Sequence, residues 1–158
     1  MIGALASFTT MAICGRELAG ELSTFQILFW RSIVGLVVIT SLLTYFGWEQ
    51  VRTSSFRIHA LRNVAHFGGQ FGWFFAIAMI PLVEVFALEF TVPIFTAIMA
   101  SIFLRERLTP GRMVAIAIGF IGVLVILRPG IAAIGIGSLA ALGAAFGYAT
   151  AHTTTRFL

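Results

Sequence analysis

Apolar side chains run along this chain in six long, unbroken stretches, with the polar residues gathered in short gaps between them. The stretches cover Met1 to Cys14, Phe25 to Phe46, Ile58 to Ile80, Leu82 to Leu104, Met113 to Leu127 and Ile134 to Leu158. A bilayer core about 30 Å thick is crossed by about 20 apolar residues in a helix that rises about 1.5 Å per residue. The stretches approach that length, which predicts six transmembrane helices. Strands of a membrane barrel would alternate apolar and polar positions over about ten residues, and these runs do not alternate. The gaps are Gly15 to Thr24, Gly47 to Arg57, Pro81, Arg105 to Arg112 and Arg128 to Gly130, which leave no room for a soluble domain. The expected fold class is all-α integral membrane, a polytopic bundle of about six transmembrane helices.

Composition agrees with the pattern. Of 158 residues, 59% are apolar and 10% charged, whereas a soluble domain carries about 25% charged residues. Six acidic and ten basic side chains are too few to coat a soluble protein of this length, so a lipid bilayer is the expected surrounding. The net charge of +4 would suggest nucleic acid if the basic residues shared one face of a soluble domain. Here they lie scattered between apolar runs and read as topology signals, so no nucleic-acid partner is expected.

All ten basic residues are Arg. Alternating the six spans puts Arg52, Arg57, Arg62, Arg105, Arg107, Arg112 and Arg156 on one side, and Arg16 and Arg128 on the other. By the positive-inside rule the first side is cytoplasmic, which places the N-terminus and the second and fourth connections in the cytoplasm. Cys14 is the single cysteine, so no intrachain disulfide can form. The opening stretch lacks a basic start and has Ile13 where a signal peptidase needs a small residue, so it reads as a mature transmembrane helix.

The chemistry lies in the few polar groups inside the apolar runs. Glu89 falls two turns into the fourth stretch, and intramembrane carboxylates mark pathways by default. It reads either as a ligand for a cationic group or a coupling proton, or as a structural partner of a neighbouring helix. Pro93, one turn later, removes a backbone donor and is the expected helix kink. Glu84, in the first turn, suits the positive end of the helix dipole.

Arg31 lies two turns past Ser23, a residue suited to cap the second helix. It should therefore match Glu89 in depth, as a direct pair or as the opposite end of a substrate site. The alternative is an arginine that snorkels to the headgroups.

In the third stretch His59, Arg62, Asn63, His66, Gln70 and Trp73 fall on one helical stripe. Of these, His66, Gln70 and Trp73 are the candidates to line a cavity. Ala65, Gly68, Gly69, Gly72 and Ala76 form a separate small-residue side suited to close helix contact. Gly119, Gly122, Gly143, Ala144 and Gly147 supply similar surfaces in the last two stretches. Two histidines without clustered Cys, Asp or Glu make a weak metal site, so neither a metal nor another cofactor is expected. Thr109 and Pro110 suit the cap and first position of the fifth helix.

The segment from Ala76 to Gly130 resembles part of an EamA-type drug/metabolite transporter. The resemblance rests on Pro93 within the fourth helix, on Glu106 followed by Arg107, Leu108, Thr109 and Pro110, and on a Gly-rich fifth helix ending in Arg128, Pro129 and Gly130. Ser23 to Val38 resembles the start of the family's second helix, with Arg31 where a basic residue often stands. The resemblance implies two five-helix repeats of inverted orientation with a substrate cavity between them. It implies secondary transport of small organic metabolites or drugs, efflux or uptake, by alternating access.

On that basis residues 1–130 form an EamA-like five-helix repeat, and residues 131–158 supply the first helix of a truncated second repeat. Gly3, Phe8, Arg16 and Leu18 fall opposite Gly143, Tyr148, Arg156 and Leu158 at a shift of 140, a weak echo of such a repeat. The expected partners are a small-molecule substrate, the lipid bilayer, and a missing C-terminal half or a second copy in a homodimer. No Gly-x-Ser-x-Gly or His-Glu-x-x-His motif supports an enzyme. The alternative is a non-transporting fragment or scaffold that associates through its Gly/Ala helix faces.

Overall fold

The computed structural model of the protein describes residues 2–51, 55–127 and 135–158. Its elements are α1 (Ile2–Leu18), α2 (Thr24–Phe46), a 3-10 turn (Trp48–Val51), α3 (Phe56–Met79), α4 (Leu82–Glu89), α5 (Val92–Phe103), α6 (Pro110–Leu127) and α7 (Ile136–Thr155). The fold is an all-α membrane bundle. Two runs, Thr24–Phe46 and Leu82–Phe103, are each long and apolar enough to cross a bilayer, and Pro110–Ile126 is a shorter apolar helix. Met1, Arg52, Arg128, Pro129, Gly130, Ile134 and the 130/131 repeat boundary lie outside the described residues.

Local chemistry sets the helix ends. Ser23 caps α2 in a reciprocal box: its hydroxyl accepts from the Gln26 N–H at 3.4 Å, and its own N–H donates to Gln26 Oε1 at 2.9 Å. Gly47 ends α2 at φ +101°, a conformation costly for a residue with a Cβ. Pro110 opens α6, and Thr109 Oγ1 accepts from the Arg112 N–H at 3.4 Å.

The expected end of the first helix at Cys14 is corrected, since α1 continues to Leu18. Gly15 lies against the Phe74 ring, where an added Cβ would come within 2.8 Å. Arg16 donates from its guanidinium to the Ile80 carbonyl at 2.6 Å. Both contacts are made from helical backbone.

The fourth apolar stretch, expected to be continuous, is two helices. The break falls at Phe90 and Thr91, and Pro93 stands in the first turn of α5. Proline is tolerated there, because first-turn N–H groups have no intrahelical partner, so it opens the second half instead of kinking a continuous rod. At the joint the Thr91 N–H and hydroxyl both donate to the Leu88 carbonyl, at 3.0 and 2.6 Å.

The densest packing joins α3 to α7. A Cβ on Gly72 would meet the Ala140 carbonyl at 2.9 Å, and one on Gly147 the Ala65 carbonyl at 2.8 Å. Only hydrogen side chains permit that approach. Gly68, Gly122 and Gly143 make no such contact among the described residues, since nothing lies within 4 Å of an added Cβ. Trp73, Phe74 and Ile77 of α3 form the core with Leu28 of α2, Val85 and Leu88 of α4, and Ala144 of α7. By contrast, α2 exposes Val34, Leu36, Val37 and Val38.

Candidate functional site

The arrangement of helices around α3 encloses an open cavity of about 880 Å³. Its walls include Phe8 and Met11 of α1, Arg31 of α2, His66 and Gln70 of α3, Phe86 and Glu89 of α4, Pro93 of α5, and Tyr148 and His152 of α7. Arg31 and Glu89 each stand two turns, about 10 Å, beyond the first residues of α2 and α4.

Glu89 is half-buried, and its Oε2 accepts from the Trp73 indole N–H at 2.9 Å. Trp73 is 2% exposed and stands behind the cavity wall. Its ring packs on Phe8 at 5.2 Å between centroids, and Phe8 reaches Phe86 at 5.8 Å. The Arg31 guanidinium carbon lies 6.0 Å from the centroid of the buried Phe74 ring, within reach of a cation–π interaction. His66 and Gln70, one turn apart, join through Nε2 atoms at 3.2 Å, and the His66 ring faces Tyr148 at 5.4 Å.

Of the residues singled out by sequence, Arg31, His66, Gln70 and Glu89 line one cavity, with Pro93 at its edge and Trp73 in contact through Glu89. The direct Arg31–Glu89 pair is corrected: among the described residues the side-chain ion pairs join Glu106 to Arg112 and to Arg156. Arg31 lies over the Phe74 ring and Glu89 accepts from Trp73, so the two charges have different partners on α3. His59, Arg62 and Asn63 of the polar stripe are outside the lining, and the Arg62 guanidinium donates to Asn63 at 3.1 Å. Glu84 accepts from the buried Ser138 hydroxyl at 2.6 Å, which ties α4 to α7.

Sequence reasoning missed Tyr148 and His152. They stand one turn apart on α7, a spacing that places them on one face, and Tyr148 is the position that the echo pairs with Phe8. Two polar-tipped rings on one face of a helix made mostly of small residues were the available signal.

Comparison with known proteins decides the family. A model of the EamA-like transporter family matches residues 1–128. The chain belongs to the EamA-like transporter family.

Curated relatives agree. The EamA chain is 37% identical over 103 residues to the riboflavin transporter of Brucella anthropi, covering 65% of this chain and 36% of that protein. It is 30% identical over 125 residues to the S-adenosylmethionine uptake transporter of Rickettsia conorii, covering 79% and 42%. It is 28% identical over 131 residues to the pseudopaline exporter of Pseudomonas aeruginosa, covering 82% and 46%. The chain thus spans less than half the length of these relatives. No solved structure matches. The family and these relatives are all named as transporters or exporters.

Proposed function

We propose that this EamA chain is the first five-helix repeat, residues 1–130, and the first helix of a second, inverted repeat, residues 131–158, of a secondary transporter. It moves a small organic metabolite or drug by alternating access in a bacterial inner membrane, with its N-terminus in the cytoplasm. The observation that carries the reading is the cavity beside the broken α4/α5 helix, where Arg31, His66, Gln70 and Glu89 meet. Discontinuous helices beside polar groups are the recurring form of transporter substrate sites. In this reading Glu89 binds a cationic group or a coupling proton, and Arg31 stands at the other end of the site. Completion comes from a C-terminal half or from a second copy.

The repeat reading draws support from the positions that the sequence echo pairs. Phe8 and Tyr148 both line the cavity, and Arg16 and Arg156 both tie the end of their helix to another element. The scaffold reading draws on one observation, an outer groove of about 480 Å³ where Gly68 and Gly143 are exposed between α3 and α7.

The deciding experiment is solute flux in proteoliposomes carrying the protein, completed by its C-terminal half or by a second copy, as wild type or Glu89→Gln, with riboflavin and S-adenosylmethionine as first probes. Saturable uptake that falls at least about tenfold in the variant supports transport, the range expected for losing a charged hydrogen bond. Equal, non-saturable leakage through both ends the assignment and leaves the scaffold.

A further inference from the structure

We infer that the cavity takes an amphoteric solute, its acidic group held at Arg31 and its protonated nitrogen at Glu89, with an apolar or aromatic skeleton between them. The inference rests on the transport reading above and names the substrate class of that same site.

Two consecutive residues of α3 set the arrangement. Trp73 and Phe74 are both buried, at 2% and 3% exposure, and pack edge to face with centroids 5.1 Å apart at 83°. Trp73 donates to Glu89 Oε2, and Phe74 presents its ring to Arg31. The aromatic pair thus gives the cation and the carboxylate separate partners on adjacent residues of α3. Among the described residues, neither charge has an ionic partner in the protein.

An unpaired charge closed off from water costs several kcal/mol. A purely anionic solute would satisfy Arg31 and be repelled by Glu89. A purely cationic solute would do the reverse, and an uncharged one would leave both ends desolvated. Only a solute with both charges neutralises both ends when the cavity closes. His66 and His152 add donors and acceptors to the cavity lining, and the rings of Phe8, Phe86 and Tyr148 offer faces to the skeleton. A volume of about 880 Å³ lies within the range of about 300–1,000 Å³ typical of small-molecule sites.

The test uses the same completed protein in proteoliposomes with three matched probes: tryptophan, tryptamine, which lacks the acid, and indole-3-propionate, which lacks the amine. Uptake of tryptophan should exceed that of either analogue at least about tenfold, the range for one lost charged hydrogen bond. Arg31→Gln should shift preference toward tryptamine, and Glu89→Gln toward indole-3-propionate. Size-exclusion profiles and melting curves check that both near-isosteric variants fold.

A preference for one singly charged analogue in the wild type overturns the inference. So does indifference to all three probes while riboflavin uptake is saturable, and that outcome leaves the transport reading standing. Absence of saturable flux for every probe overturns both.

Discussion

The helices α1 and α7 occupy positions that the sequence echo makes equivalent, yet they are packed very differently. α7 buries nine residues, from Gly137 to Thr154, while α1 buries Ala12 and Gly15. α7 is fastened near both ends, by Ser138 to Glu84 and by Arg156 to Glu106. Among the described residues, α1 makes its side-chain hydrogen bond to another element from Arg16 to the Ile80 carbonyl. Both helices are apolar and rich in small residues, so composition does not separate them. The difference lies in what each one faces. The glycines of α3 admit the α7 backbone to contact distance, whereas α1 meets the bulky rings of Trp73 and Phe74. On the proposed inverted-repeat arrangement, the third helix of the second repeat would cover α1 as α3 covers α7.

Substitutions can break this contrast or sharpen it. Gly147→Val should have the largest effect, because its Cβ would meet backbone atoms of α3 at 2.8 to 3.0 Å and neither helix can yield locally. We expect a loss of about 3 kcal/mol, read as a lower melting temperature in detergent and a smaller monodisperse fraction. Trp73→Phe keeps the ring of the core and deletes the donor to Glu89, at about 1–3 kcal/mol. A double-mutant cycle with Glu89→Gln should show that most of this loss is shared; additive effects would dissociate Trp73 from the carboxylate.

Glu106→Gln loosens the end of α7 through two half-exposed ion pairs, worth about 0–1 kcal/mol. Its effect on melting should shrink further as salt rises past 0.15 M, where screening acts over about 8 Å. Gly3→Ala should change stability least, because nothing lies within 4 Å of the new methyl. A gain of about 0.4–1 kcal/mol is the expected sign, since alanine restricts the unfolded chain. A marked loss in the same melting assay would mean that this face of α1 is already covered.

Much of the architecture could be read from the chain because hydrocarbon imposes a simple rule: long apolar runs become helices. Ser23, Thr109 and Pro110 announced helix starts through chemistry confined to three or four residues. Gly15 and Arg16 misled, since polarity suggested a loop while the contacts holding them in α1 come from Phe74 and Ile80, far along the chain. Pro93 revealed a disturbance but not its place, because proline can kink a helix or open a new one and only neighbouring packing selects between them. Likewise Gly68 and Gly69 are indistinguishable in composition, and the position of α7 alone decides which is covered.

The site was partly legible for the same reason. Arg31, Glu89, His66 and Gln70 stand out because polarity is rare in such helices. The separate partners of Arg31 and Glu89 were not, since they are two buried rings whose role in a sequence is indistinguishable from that of any core aromatic.

The two-residue joint between α4 and α5 bears on hydration. Backbone groups released from helical bonding find no partner among acyl chains, so chain of this kind is tolerated only against protein or water. The Thr91 hydroxyl serves the Leu88 carbonyl, and beyond it the chain borders the cavity at Phe90, Val92 and Pro93. On the proposed transport reading, water entering the cavity meets the peptide backbone of this joint as well as the charged side chains. That hydration should persist even when Arg31 and Glu89 are neutralised.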